Sequence, residues 1–313
     1  MKPTMAAPDY QSLIDAETWG FIRENDAFYP PGSVSLGLGD QRRMYDEMCV
    51  SFHRGYPAGI AAGDRAIAGV PCRVFAGAAP SVVYFHGGSF IFGGLNSHDD
   101  ICAEICAATG LQVVVVDYRL SPEHVHPAAF DDALAVTSAL AAEGPVMLVG
   151  DSAGGNLAAA VCHALRRSHV EIRGQVLIYP GLGGDRNMGS YVFHANAPML
   201  ATADIAFGAR IRHGGPEPVG DISASPLQDS DFSGLPPTLA IAAECDPLAD
   251  DAHAYAAALR AAGGKAYAMT AQGLVHGYLR ARATVPRAAA SFAQICATIT
   301  AFANSDWPFG DTP

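Results

Sequence analysis

The chain has 313 residues, 50% of them apolar and 16% charged, so it can bury a large core, and disorder along most of its length is excluded. Its formal net charge is −12 and it has no run of basic residues, which argues against a nucleic-acid partner. The seven cysteines are scattered, form no CxxC pair and lack zinc-ligand spacing, so we expect reduced thiols, no bound metal and a cytoplasmic protein.

The chain begins with MKPTMAAPDYQSL, which lacks the apolar core of a secretory signal. No apolar run approaches the roughly 18 residues that a membrane span needs. Residues 9–28 and 40–56 have the periodicity of amphipathic helices and are separated by the breaker-rich stretch YPPGSVSLGLG. We expect residues 1–60 to form an N-terminal cap segment.

From residue 61 onward, short β-branched runs alternate with longer helical segments. Strands are predicted at 65–76 (as a strand or a hairpin), 81–85, 112–117, 145–149, 174–179, 238–243 and 265–270. Helices are predicted at 97–109, 127–142, 153–167, 249–262 and 287–303. This alternation is typical of an α/β protein, with a mostly parallel central sheet and helices on both faces.

One interval breaks the alternation. Residues 183–215 carry glycine, methionine and aromatic residues without a strand pattern, so they are predicted to be an insertion outside the sheet. The catalytic domain then comprises residues 61–182 and 216–313. We expect the insertion to lie with residues 1–60 over one end of the sheet, as a lid.

The stretch MLVGDSAGGNL, residues 147–157, ends an apolar run with a glycine, an acid, a serine and more glycines. It contains the pattern G-x-S-x-G, which between a strand and a helix is typical of a nucleophile elbow. Flanking glycines allow the sharp reversal at Ser152, and the dipole of the next helix favours negative charge beside the hydroxyl. The alternative is a glycine-rich turn in which Ser152 only caps the helix. We favour the nucleophile.

A serine nucleophile needs a base to accept its proton and an acid to orient that base. Among the eleven histidines we favour His276, which lies in a glycine-containing loop, QGLVHGYL, between the last predicted strand and the last predicted helix. For the acid we favour Asp246, which lies in the loop after the predicted strand 238–243 and just before Pro247, a residue that can begin the next helix. Glu244 is the runner-up. Asp250 and Asp251 fall in the opening turns of the next helix, where acids commonly serve the helix dipole.

The strand at 81–85 runs into HGGSF, residues 86–90. Adjacent small residues let main-chain N–H groups approach a developing oxyanion closely. An HGGG-type loop forms half of an oxyanion hole, and the N–H after the nucleophile, here that of Ala153, forms the other half.

Five sequence blocks lie in a characteristic order: HGGSFIFGG, DYRLSPEHVHPAAFDDAL, GDSAGGNLA, the SPL to LPPTLAIAAECDPLADDA region, and HGY. Over roughly residues 80–280 the chain thereby resembles the bacterial hormone-sensitive-lipase-like carboxylesterases (family IV esterases) of the α/β-hydrolase superfamily. The resemblance implies an α/β-hydrolase fold with a helical cap built from the N-terminus and the insertion. It implies the catalytic triad Ser152, Asp246 and His276. It implies oxyanion donors from the backbone of Gly88, Ser89 and Ala153.

The family's usual third glycine is Ser89 here, a change that can narrow the acyl pocket or cost about 1–3 kcal/mol if the position needs an unusual φ and ψ. Three acidic or basic residues of the blocks, Arg119, Glu123 and Asp151, are expected to brace loops by ion pairing rather than to do chemistry. Large side chains of the cap segments are candidates for lining the pocket or for packing the cap: Trp19, Phe21, Phe28, Tyr29, Tyr191, Phe193, Met199 and Phe207.

The resemblance implies a serine carboxylesterase that hydrolyses short- to medium-chain carboxylic esters through an acyl-enzyme, without a metal or organic cofactor. The alternatives are an amidase or arylformamidase with the same triad, a non-catalytic small-ligand receptor on the hydrolase fold, and a cysteine hydrolase using Cys245, which has no elbow around it. The expected partner is a small-molecule ester, with no nucleic acid and no membrane span. The sequence leaves the oligomeric state open, a homo-oligomer included.

Overall fold

The structure, a computed structural model, describes residues 8–310. Residues 1–7 of the expected N-terminal segment and residues 311–313 lie outside the described residues. The strands are β1 (Ala62–Ile67), β2 (Val70–Phe75), β3 (Ala78–Phe85), β4 (Leu111–Val116), β5 (Val146–Asp151), β6 (Ile172–Ile178), β7 (Thr238–Cys245) and β8 (Ala266–Val275). The α-helices are α1 (Tyr10–Leu13), α2 (Ala16–Asp26), α3 (Leu38–Phe52), α4 (Asp99–Thr109), α5 (Ala128–Glu143), α6 (Ala153–Leu165), α7 (Ser190–Phe193), α8 (Thr202–His213), α9 (Ala249–Ala261) and α10 (Pro286–Ala303).

The strands form one sheet in the order β1-β2-β4-β3-β5-β6-β7-β8. Strand β2 pairs antiparallel with both of its neighbours, and every pair from β4 to β8 is parallel. The prediction of a mostly parallel sheet is therefore confirmed. Because parallel strands bring their carboxyl ends to one edge, the loops after β3, β5, β7 and β8 meet along the same rim.

Helices cover both faces of the sheet, as the alternation along β4 illustrates. Val113 and Val115 belong to a core shared with α4 and α10, whereas Val114 and Val116 belong to a second core shared with α5, α6 and α9. All four side chains are fully buried. Burying each valine stabilises the fold by about 1.5–3 kcal/mol relative to leaving it exposed. A strand that is apolar on both faces is therefore stable only where helices cover both faces of the sheet.

The N-terminal region differs from its prediction as a single helix over residues 9–28. Ile14 is extended, and Asp15 caps a new helix by accepting a hydrogen bond from the backbone N–H of Thr18 at 2.8 Å. An aspartate at an N-cap stabilises a helix start, which explains the division into α1 and α2. The second predicted helix, 40–56, is observed as α3 with earlier bounds.

The remaining predicted elements are found near their expected positions. Residues 65–76 lie in the antiparallel hairpin of β1 and β2. Between residues 183 and 215 the structure contains α7 and α8 and no strand, as expected. Strand β8 continues beyond the predicted end at residue 270, so that His276 follows its last residue directly.

None of the helices within residues 8–310 combines the length and the apolarity that crossing a membrane requires. All seven cysteines are free and buried, as expected for reduced thiols. Cys102 and Cys106 lie in the core on α4, where they pack as small apolar side chains.

Candidate active site

The tight turn between β5 and α6 consists of a single residue, Ser152. Its backbone has φ 54° and ψ −115°, a conformation that costs a non-glycine residue free energy. The turn is possible only with glycines on both sides: a Cβ on Gly154 would collide with the carbonyl of Phe85, and one on Gly150 would collide with Gly154. The strand–serine–helix arrangement expected from the sequence is thus the one observed, and it holds the hydroxyl at the N-terminus of a helix.

A chain of hydrogen bonds joins three side chains from three strand ends. His276 Nε2 lies 2.8 Å from Ser152 Oγ, and His276 Nδ1 lies 2.7 Å from Asp246 Oδ2. A carboxylate can only accept, so Nδ1–H donates to Asp246 and Nε2 is free to accept from the serine hydroxyl. The three residues singled out from the sequence are therefore in direct contact, in the geometry of a nucleophile, a base and an orienting acid.

The orienting carboxylate is completely buried. Asp246 is 0% exposed, and its second oxygen accepts a hydrogen bond from the backbone N–H of Leu248 at 2.8 Å. Glu244, the runner-up for this role, points elsewhere: it accepts from the backbone N–H of Gly273 at 2.6 Å. The geometry therefore favours Asp246 over Glu244 as the partner of His276.

Three backbone N–H groups beside Ser152 have no acceptor. Those of Gly88, Ser89 and Ala153 form no hydrogen bond to any atom of residues 8–310. Gly88 and Ser89 have positive φ values of 125° and 57°. Free N–H groups beside a nucleophile can stabilise an oxyanion, because a negative oxygen there would satisfy donors that are otherwise unpaired.

The loop that carries two of these donors is held in place by Asp151, the residue before the serine. Its carboxylate accepts hydrogen bonds from the N–H of Gly87 and from the hydroxyl of Tyr84, both at 2.9 Å, and lies 3.4 Å from His98. Burial alone would raise the pKa of Asp151, but the charge of His98 and the hydrogen bonds from His98 and Tyr84 hold that pKa below its ordinary value. Asp151 therefore links the elbow to the glycine loop, in keeping with the expected bracing role.

Arg119 and Glu123 also form the expected ion pairs, each with a partner outside its own loop. Arg119 binds Asp132 on α5 at 2.8 Å, and Glu123 binds Arg42 on α3 at 2.8 Å. The second pair ties the N-terminal helices to the loop after β4.

Ser152 borders two cavities, and Ser89, Leu200 and Gly208 also line both of them. The larger has a volume of about 770 Å³, and its walls include Gly88, His276 and residues of the N-terminal segment and α8. The smaller has a volume of about 90 Å³ and lies between α6 and α8. An ester bound at Ser152 can therefore place its two limbs in separate spaces.

Four of the eight large side chains suggested from the sequence line these cavities: Tyr29, Met199 and Phe207 line the larger one, and Tyr191 lines the smaller one. The other four do not line either cavity and pack the protein instead: Trp19, Phe21, Phe28 and Phe193. Their position on amphipathic segments could not distinguish a core-facing aromatic residue from a cavity-facing one.

Known proteins resemble this chain in both sequence and fold. The model of a family described as alpha/beta hydrolase fold matches residues 82–280. The chain belongs to the α/β-hydrolase family. Esterase LipI of Mycobacterium tuberculosis is 38% identical over 225 residues, which are 67% of this chain and 69% of the relative. Carboxylesterase NlhH of the same species is 37% identical over 228 residues, 67% of this chain and 70% of the relative.

A solved structure agrees over nearly the whole fold of the hydrolase. The hyperthermophilic esterase from the archaeon Pyrobaculum calidifontis superposes with a TM-score of 0.83 and 29% sequence identity, and the match covers 93% of this chain and 99% of that one. The expected fold class is confirmed.

Ser89 marks the point at which this hydrolase departs from the glycine pattern. Its φ of 57° lies in the left-handed region, which costs a residue with a Cβ about 1–2 kcal/mol. The side chain is exposed to the cavities and faces Gly208 of α8, where an added Cβ would lie 3.6 Å from that of Ser89. The serine therefore narrows the passage between the two cavities.

We expect Ser89→Gly to raise the free energy of unfolding by about 0.5–1 kcal/mol, since glycine adopts this φ without strain but loses more entropy on folding. The same change should increase kcat/KM for esters with branched acyl groups and leave acetate esters nearly unaffected. Thermal unfolding and kinetics on matched acetate and isobutyrate esters measure both effects. Ser89→Ala keeps the Cβ and the strain, so it should change neither property; a gain in that variant would contradict the steric explanation.

Sequence reasoning missed several residues of this region. Tyr179 follows β6 at the same rim, and its ring centroid lies 4.9 Å from that of His276. Its place at the carboxyl end of the predicted strand 174–179 was a signal that could have found it. Two buried arginines also line the site: Arg280 lines the larger cavity and Arg212 the smaller one. They gave no such signal, since an arginine in an irregular segment or on an amphipathic helix is usually exposed.

Proposed function

We propose that the protein is a serine carboxylesterase that hydrolyses short- to medium-chain carboxylic esters through an acyl-enzyme intermediate. The observation that carries this proposal is the hydrogen-bonded chain from Ser152 through His276 to Asp246, beside three unpaired backbone N–H groups. The names of the relatives, esterases and carboxylesterases, support the same activity. They do not favour the amidase or arylformamidase alternative.

In the first half of the reaction Ser152 Oγ attacks the ester carbonyl as His276 Nε2 takes its proton. The N–H groups of Gly88, Ser89 and Ala153 donate to the oxygen that becomes negative, and Asp246 stabilises the imidazolium. His276 then gives the proton to the leaving alkoxide, and the acyl group remains on the serine.

In the second half water takes the place of the alcohol. His276 removes a proton from the water, the resulting hydroxide attacks the acyl carbonyl, and the proton returns to Ser152 as the acid leaves. In both steps the carbonyl oxygen that becomes negative meets the same backbone donors, so one arrangement of the site serves both steps. The whole cycle uses side chains and N–H groups of this chain alone.

We also propose that residues 1–60 and 183–215 form a cap over the site, with residues 61–182 and 216–313 as the catalytic domain. Tyr29 and Met44 from the N-terminal segment and Phe207 from α8 line the larger cavity above Ser152, which supports this division. Its volume of about 770 Å³ lies within the usual range for small-molecule sites. A cap of this kind limits the length of the substrate that can bind.

Hydrolysis of a panel of 4-nitrophenyl esters tests the proposal. We expect kcat/KM to be highest for acyl chains of about two to eight carbons and to fall for longer chains, because the space beside Ser152 is limited. A 4-nitroanilide with the same acyl group should react far more slowly, since an amine is a poorer leaving group. Equal rates for the matched ester and anilide would favour the amidase alternative instead.

Stoichiometric labelling by an organophosphate gives a second readout. Mass spectrometry of the digested protein should place the phosphoryl group on Ser152, with complete loss of hydrolysis. An unlabelled but folded protein would support the receptor alternative, and labelling of Cys245 would support the cysteine hydrolase. The cytoplasmic location and the absence of a nucleic-acid partner stay predictions from the cysteine usage and the net charge.

A further inference from the structure

The smaller cavity contains an arginine that the proposed reaction does not use. Arg212 of α8 is 7% exposed and lines this cavity together with Ser152 and Ala153. Its guanidinium carbon lies 3.6 Å from the centre of the Phe90 ring, in the next part of the cavity wall. A buried cation thus stands in the same small space as the nucleophile.

The acceptors around Arg212 are all neutral. Its guanidinium donates to the carbonyls of Ala224 at 3.1 Å and Ser223 at 3.4 Å and to the side-chain oxygen of Asn156 at 3.2 Å. Its Nε–H and one hydrogen of Nη1 have no acceptor among residues 8–310, and no described carboxylate forms an ion pair with it. Burial lowers the pKa of Arg212 to about 10, so the group stays charged at neutral pH.

The other titratable groups of this cavity leave its charge positive. Glu217 also lines this cavity, but its carboxylate forms an ion pair with Arg186 at 2.7 Å rather than with Arg212. Burial, reinforced by the charge of Arg212, lowers the pKa of His213 to about 4, so this histidine is neutral. Two guanidiniums and one carboxylate therefore give the lining of this cavity one net positive charge. Asp221, whose charge also acts on Arg212, lies outside the lining and contacts His126 at 3.1 Å. A buried charge without a partner is costly, and a bound anion would offset that cost.

Arg212 is close enough to reach a bound substrate. Asn156 lies one helical turn after Ser152, about 5–6 Å away, and its side chain touches the guanidinium. A spacer of a few carbon atoms therefore joins a carbonyl at Ser152 to an anion at Arg212.

The cavity also indicates which limb of the ester it takes. His276 must protonate the leaving alkoxide, and His276 lines the larger cavity but not the smaller one. The alcohol limb is therefore directed into the larger cavity, and the acyl limb into the smaller one.

We propose that the acyl group of the preferred substrate carries a carboxylate that binds Arg212, so that half-esters of short dicarboxylic acids are hydrolysed faster than neutral esters. This inference rests on the proposed esterase function and names a substrate class for it. A charge-assisted hydrogen bond formed in a buried site is strong enough to dominate selectivity between acyl groups of equal length.

The test compares monoethyl glutarate with ethyl valerate, which have acyl chains of equal length, by titrating the acid released. We expect the wild-type kcat/KM to favour the glutarate by about 10- to 100-fold. Arg212→Met should remove this preference while ethyl valerate hydrolysis persists. Arg210→Met, an exposed arginine on the same helix, is the matched control and should keep the preference. Glu217→Gln removes the opposing charge and should increase it.

Several results would overturn the inference. One is a wild-type kcat/KM for monoethyl glutarate that is equal to or lower than that for ethyl valerate. Another is an equal loss of kcat/KM on both esters in Arg212→Met, which would indicate a structural role alone. If Arg212→Met does not fold, Glu217→Gln decides: an unchanged or smaller preference contradicts the proposal. A preference for acetoxyacetate over ethyl acetate that depends on Arg212 would assign the anion to the alcohol limb and refute the acyl assignment. Failure of the wild type on all esters would instead refute the esterase function itself.

Discussion

Ser152→Ala is expected to lower kcat for 4-nitrophenyl butyrate by about 10⁶-fold, the size of effect seen when a triad serine is removed from a serine hydrolase. The hydroxyl lies 2.8 Å from His276 Nε2, and no other nucleophile is available to the same base within the described site. A residual rate above that in water should remain, because the backbone donors still polarise the carbonyl. Steady-state and burst kinetics measure the loss, and the burst of 4-nitrophenol should vanish with it.

The loss must be separated from damage to the fold. Alanine adopts the backbone conformation of Ser152 no less readily than serine does, so the thermal unfolding temperature should stay within a few degrees of the wild type. Cys245→Ala provides the matched control for the rival nucleophile: Cys245 is fully buried, and burial raises the pKa of its thiol to about 12, so the variant should keep its activity. Wild-type-like turnover by Ser152→Ala would contradict the mechanism.

Much of the site could be predicted because its residues lie at strand ends. The apolar run before Ser152 and the small residues after it indicate a strand, a turn and a helix, and parallel strands bring such turns to one rim. The same reasoning places Asp246 after β7 and His276 after β8. The local pattern places each residue at a strand end, and the parallel topology places those strand ends at one rim. Contact between three residues that are far apart in the chain could therefore be predicted from the sequence.

Other features depend on geometry that the sequence pattern does not contain. Ser89 has a positive φ that no local propensity of serine favours. The hydrogen bond from Gly87 to Asp151 joins two turns that are neighbours only in the folded sheet. The burial of Arg212 results from the packing of α8 against the loop around Ala224, since an arginine on such a helix is ordinarily solvated. These features are tertiary, and each one modifies selectivity or rigidity rather than the type of reaction.

The choice between Asp246 and Glu244 as the orienting acid shows what the sequence predicts and what only the structure explains. Both acids follow the same apolar run, and the sequence favours Asp246 because it stands in the loop just before Pro247. The structure adds the reason: Glu244 still lies on β7, whereas Asp246 lies beyond the end of β7, in the turn before α9. Asp246 reaches His276, whereas Glu244 fixes the backbone of Gly273 on β8.

Asp246→Asn is expected to lower kcat by about 10⁴-fold with little change in KM, because asparagine would alter the tautomer of the base. Its amide N–H₂ can donate to His276 Nδ1, which would move the imidazole proton to Nε2 and leave no lone pair there to accept from Ser152. Glu244→Gln is the matched control, since glutamine still accepts from the N–H of Gly273 and should keep a near-wild-type rate. Kinetics of both variants decide the question: a large loss in Glu244→Gln with a small one in Asp246→Asn would exchange the two roles.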